Sequence, residues 1–133
     1  MVLTNQSLQA YNTFGIDVSA KYFSEIESTD DFRTLLTDPA FEMEEKLILG
    51  GGSNILFTKN FDGLVIKNAL PGIILIKEDA YHSWIKVAAG EPWHPFVLYC
   101  VERNLAGIEN LSLIPGLVGA APMQNIGAYG VEI

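Results

Sequence analysis

Hydrophobic and polar positions alternate along Lys21-Tyr22-Phe23-Ser24-Glu25-Ile26-Glu27, the period of two that a half-buried strand requires. Ser28-Thr29-Asp30 then gives a helix N-cap signal, and the period changes: Phe32, Leu35 and Leu36 share a helical face that has to stop before Pro39. Lys46-Leu47-Ile48-Leu49 predicts a short buried strand that runs straight into Gly50-Gly51-Gly52. Leu64-Val65-Ile66-Lys67 predicts another, with Asp62-Gly63 as the turn before it. Tyr11 to Gly15 is polar and turn-like. This βαβ…β order predicts a small mixed or parallel sheet with a helix packed on it.

Further along, Gly72–Glu78 and His82–Ala88 read as two strands of a hairpin closed through Asp79-Ala80-Tyr81. Glu91-Pro92-Trp93 opens a helix that runs to about Arg103, with Trp93, Phe96, Val97 and Val101 near one stripe. From Ala106 the chain is rich in Gly, Pro and small residues, yet Leu111, Leu113, Ile114, Leu117, Val118 and Ile126 are interleaved throughout. Such a stretch implies tight backbone packing or close approach to a ligand. Trp84 and Trp93 are expected in the core. Val131-Glu132-Ile133 reads as the start of a strand with no terminating turn, so a truncated domain is expected.

Composition narrows the classes. The chain has 133 residues, of which 49% are hydrophobic and 18% charged, which excludes a disordered tail. No apolar run is long enough to span a bilayer, and Met1 to Gln6 lack the charge and apolar stretch of a signal peptide. Net charge is −8 and no Lys/Arg cluster exists, so nucleic-acid binding has no electrostatic basis. A phosphate ligand would have to be held mainly by backbone N–H groups. Cys100 is the one cysteine, which precludes an internal disulfide; its apolar neighbours favour a buried structural thiol over a reactive one. His82 and His94 read as surface or packing residues rather than metal ligands, and Glu42, Glu44 and Glu45 as a solvated face.

Two stretches carry candidate chemistry. In Leu49-Gly50-Gly51-Gly52-Ser53-Asn54, three glycines after a strand allow successive N–H groups to point one way, the concavity that binds a phosphate or pyrophosphate. Ser53 and Asn54 add a hydroxyl and an amide. The loop is neither a Walker A motif nor a Rossmann fingerprint, and a plain strand-exit turn would use the same glycines. In Ile114-Pro115-Gly116 through Gly130, small residues permit flat backbone against a planar ligand, while Gln124 and Asn125 offer both donors and acceptors. A tightly packed connector is the competing reading.

Taken together, the two stretches closely resemble the UDP-N-acetylenolpyruvoylglucosamine reductase family. Leu49-Gly50-Gly51-Gly52-Ser53-Asn54 is similar to that family's first FAD pyrophosphate loop. Ile108-Glu109-Asn110-Leu111, Ile114-Pro115-Gly116 and Pro122-Met123-Gln124-Asn125-Ile126-Gly127-Ala128-Tyr129-Gly130-Val131-Glu132 are similar to its second signature. Asn12-Thr13-Phe14 and Ala89-Gly90-Glu91-Pro92-Trp93 match lesser landmarks. The resemblance runs in order over essentially the whole chain. One departure is that the family pattern often has a serine near Ala120-Ala121.

The resemblance implies an α+β fold: the FAD-binding PCMH-type (vanillyl-alcohol-oxidase-like) module of two α/β subdomains, residues 1–67 and 68–133, with the second incomplete and the substrate domain absent. It implies FAD between the subdomains. Gly50, Gly51, Gly52, Ser53 and Asn54 would take the pyrophosphate. Pro115, Gly116, Gln124, Asn125, Gly127 and Ala128 would take the flavin side; Tyr129 is a candidate there or a core tyrosine. The implied reaction is NADPH-dependent reduction of UDP-N-acetylglucosamine enolpyruvate to UDP-N-acetylmuramate, for peptidoglycan synthesis in a bacterial cytoplasm. The arginine, serine and glutamate that the family uses for catalysis match nothing here, so no catalytic residue and no metal site is assigned, and the fragment alone is expected to be inactive. Without its remainder, the second subdomain is expected to expose apolar surface or a strand edge and to self-associate. Two other readings compete: a non-catalytic phosphate- or nucleotide-binding module, and a flavin oxidase of the same superfold. No covalent flavin attachment motif supports the latter.

Overall fold

A run such as Gly63-Leu64-Val65-Ile66 is stable only where a strand is covered on both faces, and these four residues are fully buried at the centre of a parallel array. The computed structural model describes residues 1–133, which fall into two units, Met1–Leu70 and Pro71–Ile133. The first unit holds strands β1 (Val2–Ser7), β2 (Ser19–Ile26), β3 (Glu45–Leu49) and β4 (Phe61–Asn68), and helix α1 (Thr29–Thr37). Sheet order is β1-β2-β4-β3, with β1 antiparallel to β2 and the other three strands mutually parallel.

The alternation of β4 distributes its side chains. Leu64 and Ile66 join Ile26, Leu35 and Phe41 beneath α1, while Val65 points to the opposite face with Phe23, Leu49, Phe57, Leu8 and Val18. The register shift between Ala20 and Tyr22 lets Ala20 join Phe23 on that second face despite its odd spacing. α1 begins where Ser28 predicts it. Ser28 Oγ accepts from Asp31 N (3.1 Å), and an Asp31 carboxylate oxygen accepts from Ser28 N (3.0 Å), a complete capping box.

Several expectations change. Asp62-Gly63 is not a turn but part of β4: Gly63 is in register with Glu45, and a Cβ there would overlap the Glu45 carbonyl. β3 is a sheet edge, so Ile48 is 58% exposed instead of buried. Of the predicted α1 face, Leu35 is buried and Phe32 packs beside it, whereas Leu36 is exposed. β1 has no counterpart in the sequence reading, because an edge strand of mostly exposed residues shows no clear alternation.

The second unit opens with a hairpin of β5 (Ile73–Glu78) and β6 (Ser83–Val87). Its turn is tied by Asp79 N donating to His82 O (2.9 Å) and by the Asp79 carboxylate accepting from the N–H groups of Tyr81 and His82 (2.8 Å each). Helix α2 (Trp93–Glu102) follows, and its buried stripe is Trp93, Val97 and Cys100. Val101, expected in that stripe, is exposed because Cys100 holds the i+7 position from Trp93. Trp84 also departs from expectation: it is partly exposed, with the Lys77 ammonium 4.7 Å above its ring. Trp93, Val97, Leu111, Ala121 and Ile126 form the core of this unit. The chain closes with the two-residue strands β7 (Gly127–Ala128) and β8 (Val131–Glu132), paired antiparallel.

Candidate functional site

The triple-glycine loop leaves β3 at the C-terminal end of the parallel strands, where ligand sites of open α/β sheets gather. Its inner wall is the segment Leu8–Val18. That segment is held by the buried Asn12, whose Nδ2 donates to the carbonyls of Leu8 (2.8 Å) and Ile16 (3.0 Å) and whose Oδ1 accepts from Ile16 N (3.0 Å). Gly52 rests against this wall with φ +69°. A Cβ on it would overlap the Tyr11 carbonyl and come within 2.9 Å of Asn12 Cα. The loop is anchored through the Gly52 carbonyl, which accepts from Thr13 N (3.1 Å) and Thr13 Oγ1 (3.4 Å). The N–H groups of Gly51, Gly52, Ser53 and Asn54 donate no hydrogen bond within the chain, nor does the Ser53 hydroxyl or the Asn54 amide. Gly51 and Asn54 are exposed, Gly50 and Ser53 half-buried. Consecutive uncommitted donors on a loop fixed by its carbonyl side suit a pyrophosphate in a chain poor in cations.

The Pro115–Tyr129 stretch belongs to the second unit and is organised by the segment before and within the first turn of α2. Gly119 N donates to Ala89 O (3.0 Å), Val118 N to Glu91 O (2.9 Å), and Trp93 N to Gly116 O (3.0 Å). Trp93 Nε1 donates to Leu111 O (2.8 Å), and His94 Nδ1 accepts from Leu113 N (3.2 Å). Glu91 also accepts from Gly72 N through its carboxylate (2.6 Å). The small residue at 119 therefore serves the protein's own packing: a Cβ there would lie 2.6 Å from that of Ala89.

Among the predicted flavin-side residues, Gln124 Nε2 reaches the Pro115 carbonyl (3.4 Å), which joins two of them and leaves the Gln124 amide oxygen open. Asn125 is exposed with φ +49°. Gly127 is exposed, and Ala128 is partly buried against the core that contains Ile126. Tyr129 is 89% exposed, so it is not a core tyrosine. With φ +54° at Tyr129 and +80° at Gly130, the β7–β8 turn has both central residues left-handed, as a type I′ turn requires. Left-handed backbone at Leu113, Asn125 and Tyr129, none of them glycine, concentrates strain in this one stretch.

Electrostatics adds little catalytic capacity. Lys67, in register with Leu49 just before the loop, has its pKa lowered by burial, with the Glu25 charge pulling the other way, and its ammonium donates to Asn68 O (3.0 Å). Burial pushes the Cys100 thiol up, against a smaller opposite pull from Arg103, in keeping with a structural cysteine. Glu44 is less solvated than its run implies, because it pairs with Lys21 at 2.7 Å. No group of His, Cys, Asp and Glu side chains is arranged to hold a metal ion, and no helix is long and apolar enough to cross a membrane. The role of Ala89–His94 as a template for the later stretch was visible in the sequence only as a minor family landmark.

A family model described as "FAD binding domain" matches residues 20–133. The chain is 55% identical over 127 residues to a UDP-N-acetylenolpyruvoylglucosamine reductase of Pseudomonas syringae pv. syringae, covering 96% of this chain and 38% of that protein. It is 56% identical over 128 residues to the enzyme of the same name from Amoebophilus asiaticus, with the same shares covered. To the one from Flavobacterium johnsoniae it is 51% identical over 132 residues, covering 99% and 39%. The chain thus spans well under half the length of the curated relatives it matches. The crystal structure of UDP-N-acetylenolpyruvylglucosamine reductase from Thermus caldophilus superposes with a TM-score of 0.70 at 24% identity, covering 99% of this chain and 44% of that one, which shows a shared α+β fold. On the family model's match to the greater part of its length, the chain belongs to the FAD binding domain family.

Proposed function

We propose that this chain is the FAD-holding portion of an NADPH-dependent oxidoreductase that reduces UDP-N-acetylglucosamine enolpyruvate to UDP-N-acetylmuramate, a peptidoglycan precursor made in the bacterial cytoplasm. The observation that carries this reading is the identity of more than half the residues over 96% of the chain to proteins bearing the reductase name. The uncommitted donors at Gly51–Asn54 support it from the structure, because they fit the anionic part of a dinucleotide.

On this reading Gly50, Gly51, Gly52, Ser53 and Asn54 bind the pyrophosphate. Pro115, Gly116, Gln124, Asn125, Gly127, Ala128 and Tyr129 bind and orient the flavin half. Bound FAD supplies the hydride chemistry. The chain's own residues bind and orient: backbone N–H groups donate hydrogen bonds to the phosphate oxygens, and the Gln124 and Asn125 amides match donors and acceptors of the flavin edge. No residue of this chain is assigned to proton transfer. NADPH and the nucleotide-sugar substrate are proposed to act on the full-length enzyme, with these 133 residues inactive alone.

The test is the visible spectrum of the full-length gene product. A flavin band that bleaches with NADPH and recovers on adding the enolpyruvyl substrate is expected. A colourless full-length product that cannot be reconstituted with FAD would refute the reading and favour a non-catalytic nucleotide-binding module.

A further inference from the structure

Leu113 poses a physical problem. Its backbone is left-handed (φ +63°), a conformation costly for a residue with a Cβ, and its side chain is 78% exposed, so packing does not hold it there. Neighbouring points are clamped. Trp93 Nε1 holds the Leu111 carbonyl (2.8 Å) and Trp93 N holds the Gly116 carbonyl (3.0 Å). Between those two clamps the contact at residue 113 is its N–H, donated to His94 Nδ1 (3.2 Å), with Ser112 Oγ at 3.1 Å from the same nitrogen.

We propose that His94 is a positioning residue: from the first turn of α2 it locks the Ser112–Leu113 turn and thereby sets the course of Pro115 and Gly116, where the flavin-side stretch begins. The inference rests on the FAD reading above. An Nδ1 that accepts a backbone N–H carries no proton, so the lock requires the Nε2–H tautomer of His94. The chain's other histidine, His82, faces the Asp79 carboxylate at 3.4 Å on the β5–β6 turn and serves as an internal contrast.

Two measurements separate the lock from its purpose. Nitrogen-15 NMR of the histidine rings near pH 8 is expected to show His94 as the Nε2–H tautomer, with the Leu113 amide protected from exchange despite the exposure of its side chain. An Nδ1–H tautomer, or a freely exchanging Leu113 amide, would overturn the lock whatever FAD does. FAD affinity of the full-length protein is then read for variants. His94→Ala is expected to weaken binding about tenfold, the scale of one lost hydrogen bond. His94→Asn, whose Oδ1 can stand where Nδ1 stood, is expected to restore most of it. Adding Leu113→Gly to His94→Ala is also expected to recover affinity, because glycine adopts the left-handed turn unaided. Unchanged affinity in a folded His94→Ala variant, or no recovery by either rescue, would overturn the positioning role. If the unsubstituted full-length protein binds no FAD, the flavin reading falls and the purpose assigned to His94 falls with it, while the tautomer and exchange data still decide the lock.

Discussion

The Gly52 carbonyl takes both hydrogen bonds that Thr13 can offer, from its N–H at 3.1 Å and its hydroxyl at 3.4 Å. The loop is thus tethered through the Gly52 carbonyl, while the N–H groups of Gly51 to Asn54 have no partner within the chain. Gly52 cannot be replaced without moving that tether. Gly52→Ala adds left-handed strain at φ +69° and drives a methyl into Tyr11 and Asn12 backbone. A loss of about 3 kcal/mol in urea unfolding is expected. Gly51→Ala, at an exposed position without positive φ, is expected to leave the unfolding midpoint near its original value while weakening FAD binding. Equal midpoints for both variants would contradict this account.

Helix α1 offers a pH-dependent test. Asp31 is held below its ordinary 3.8 first by the Ser28 side chain and then by backbone N–H groups, Glu27's ahead of Ser28's. A depressed carboxylate pKa contributes stability that is present above 3.8 and fades as pH falls through the lower folded value. Ser28→Ala removes the N-cap acceptor and is expected to cost about 1 kcal/mol near neutral pH. The difference from the parent chain should narrow on acidification below 3.8, as seen by circular dichroism across a pH series. A gap that widens on acidification would be the wrong sign.

Trp93 serves the second unit as both ring and donor. Trp93→Phe keeps an aromatic ring on the core but leaves the Leu111 carbonyl without its indole partner, and a loss of about 1–3 kcal/mol is expected. Fluorescence of the variant should come from the half-exposed Trp84 alone and lie further to the red. Full retention of stability would show that the indole bond contributes nothing.

The β5–β6 hairpin stands as a sheet of two strands, and Ile74, Leu75 and Ile76 on β5 are all substantially exposed. Two-stranded sheets are marginal in water, and an apolar edge invites pairing with another chain. The 133-residue chain is expected to self-associate with rising concentration in sedimentation velocity, and Ile74→Lys with Ile76→Lys to suppress it. A strictly monomeric parent chain at high concentration would count against this.

The elements that the sequence made legible are those whose local chemistry and burial agree. Ser28 caps α1 because its side chain decides the matter within four residues, and β4 announces itself by an unbroken buried run. Where tertiary context decides, local reading failed. Asp62-Gly63 has turn composition, yet it lies in a strand because Glu45 passes too close for any side chain at 63. Cys100 displaces Val101 from the α2 stripe by a small rotation that apolar spacing does not resolve. The glycine loop was legible as a candidate nest; its dependence on Thr13 and Asn12, some forty residues upstream, was not, since only folding brings those groups to it. Likewise Gly119 is small because Ala89 leaves no room for a Cβ there, a constraint that composition cannot reveal.

The rungs joining Ala89, Glu91 and Trp93 to Gly116, Val118 and Gly119 run from peptide group to peptide group. Atoms of that kind are common to nearly every amino acid, so exchanging one side chain for another along this ladder leaves its fastenings intact wherever bulk permits. Proline is the exception, because its ring takes the place of the amide hydrogen. Genetic drift can therefore rewrite much of this segment's surface, and a codon change to proline at Val118 or Gly119 is the substitution that would unfasten it.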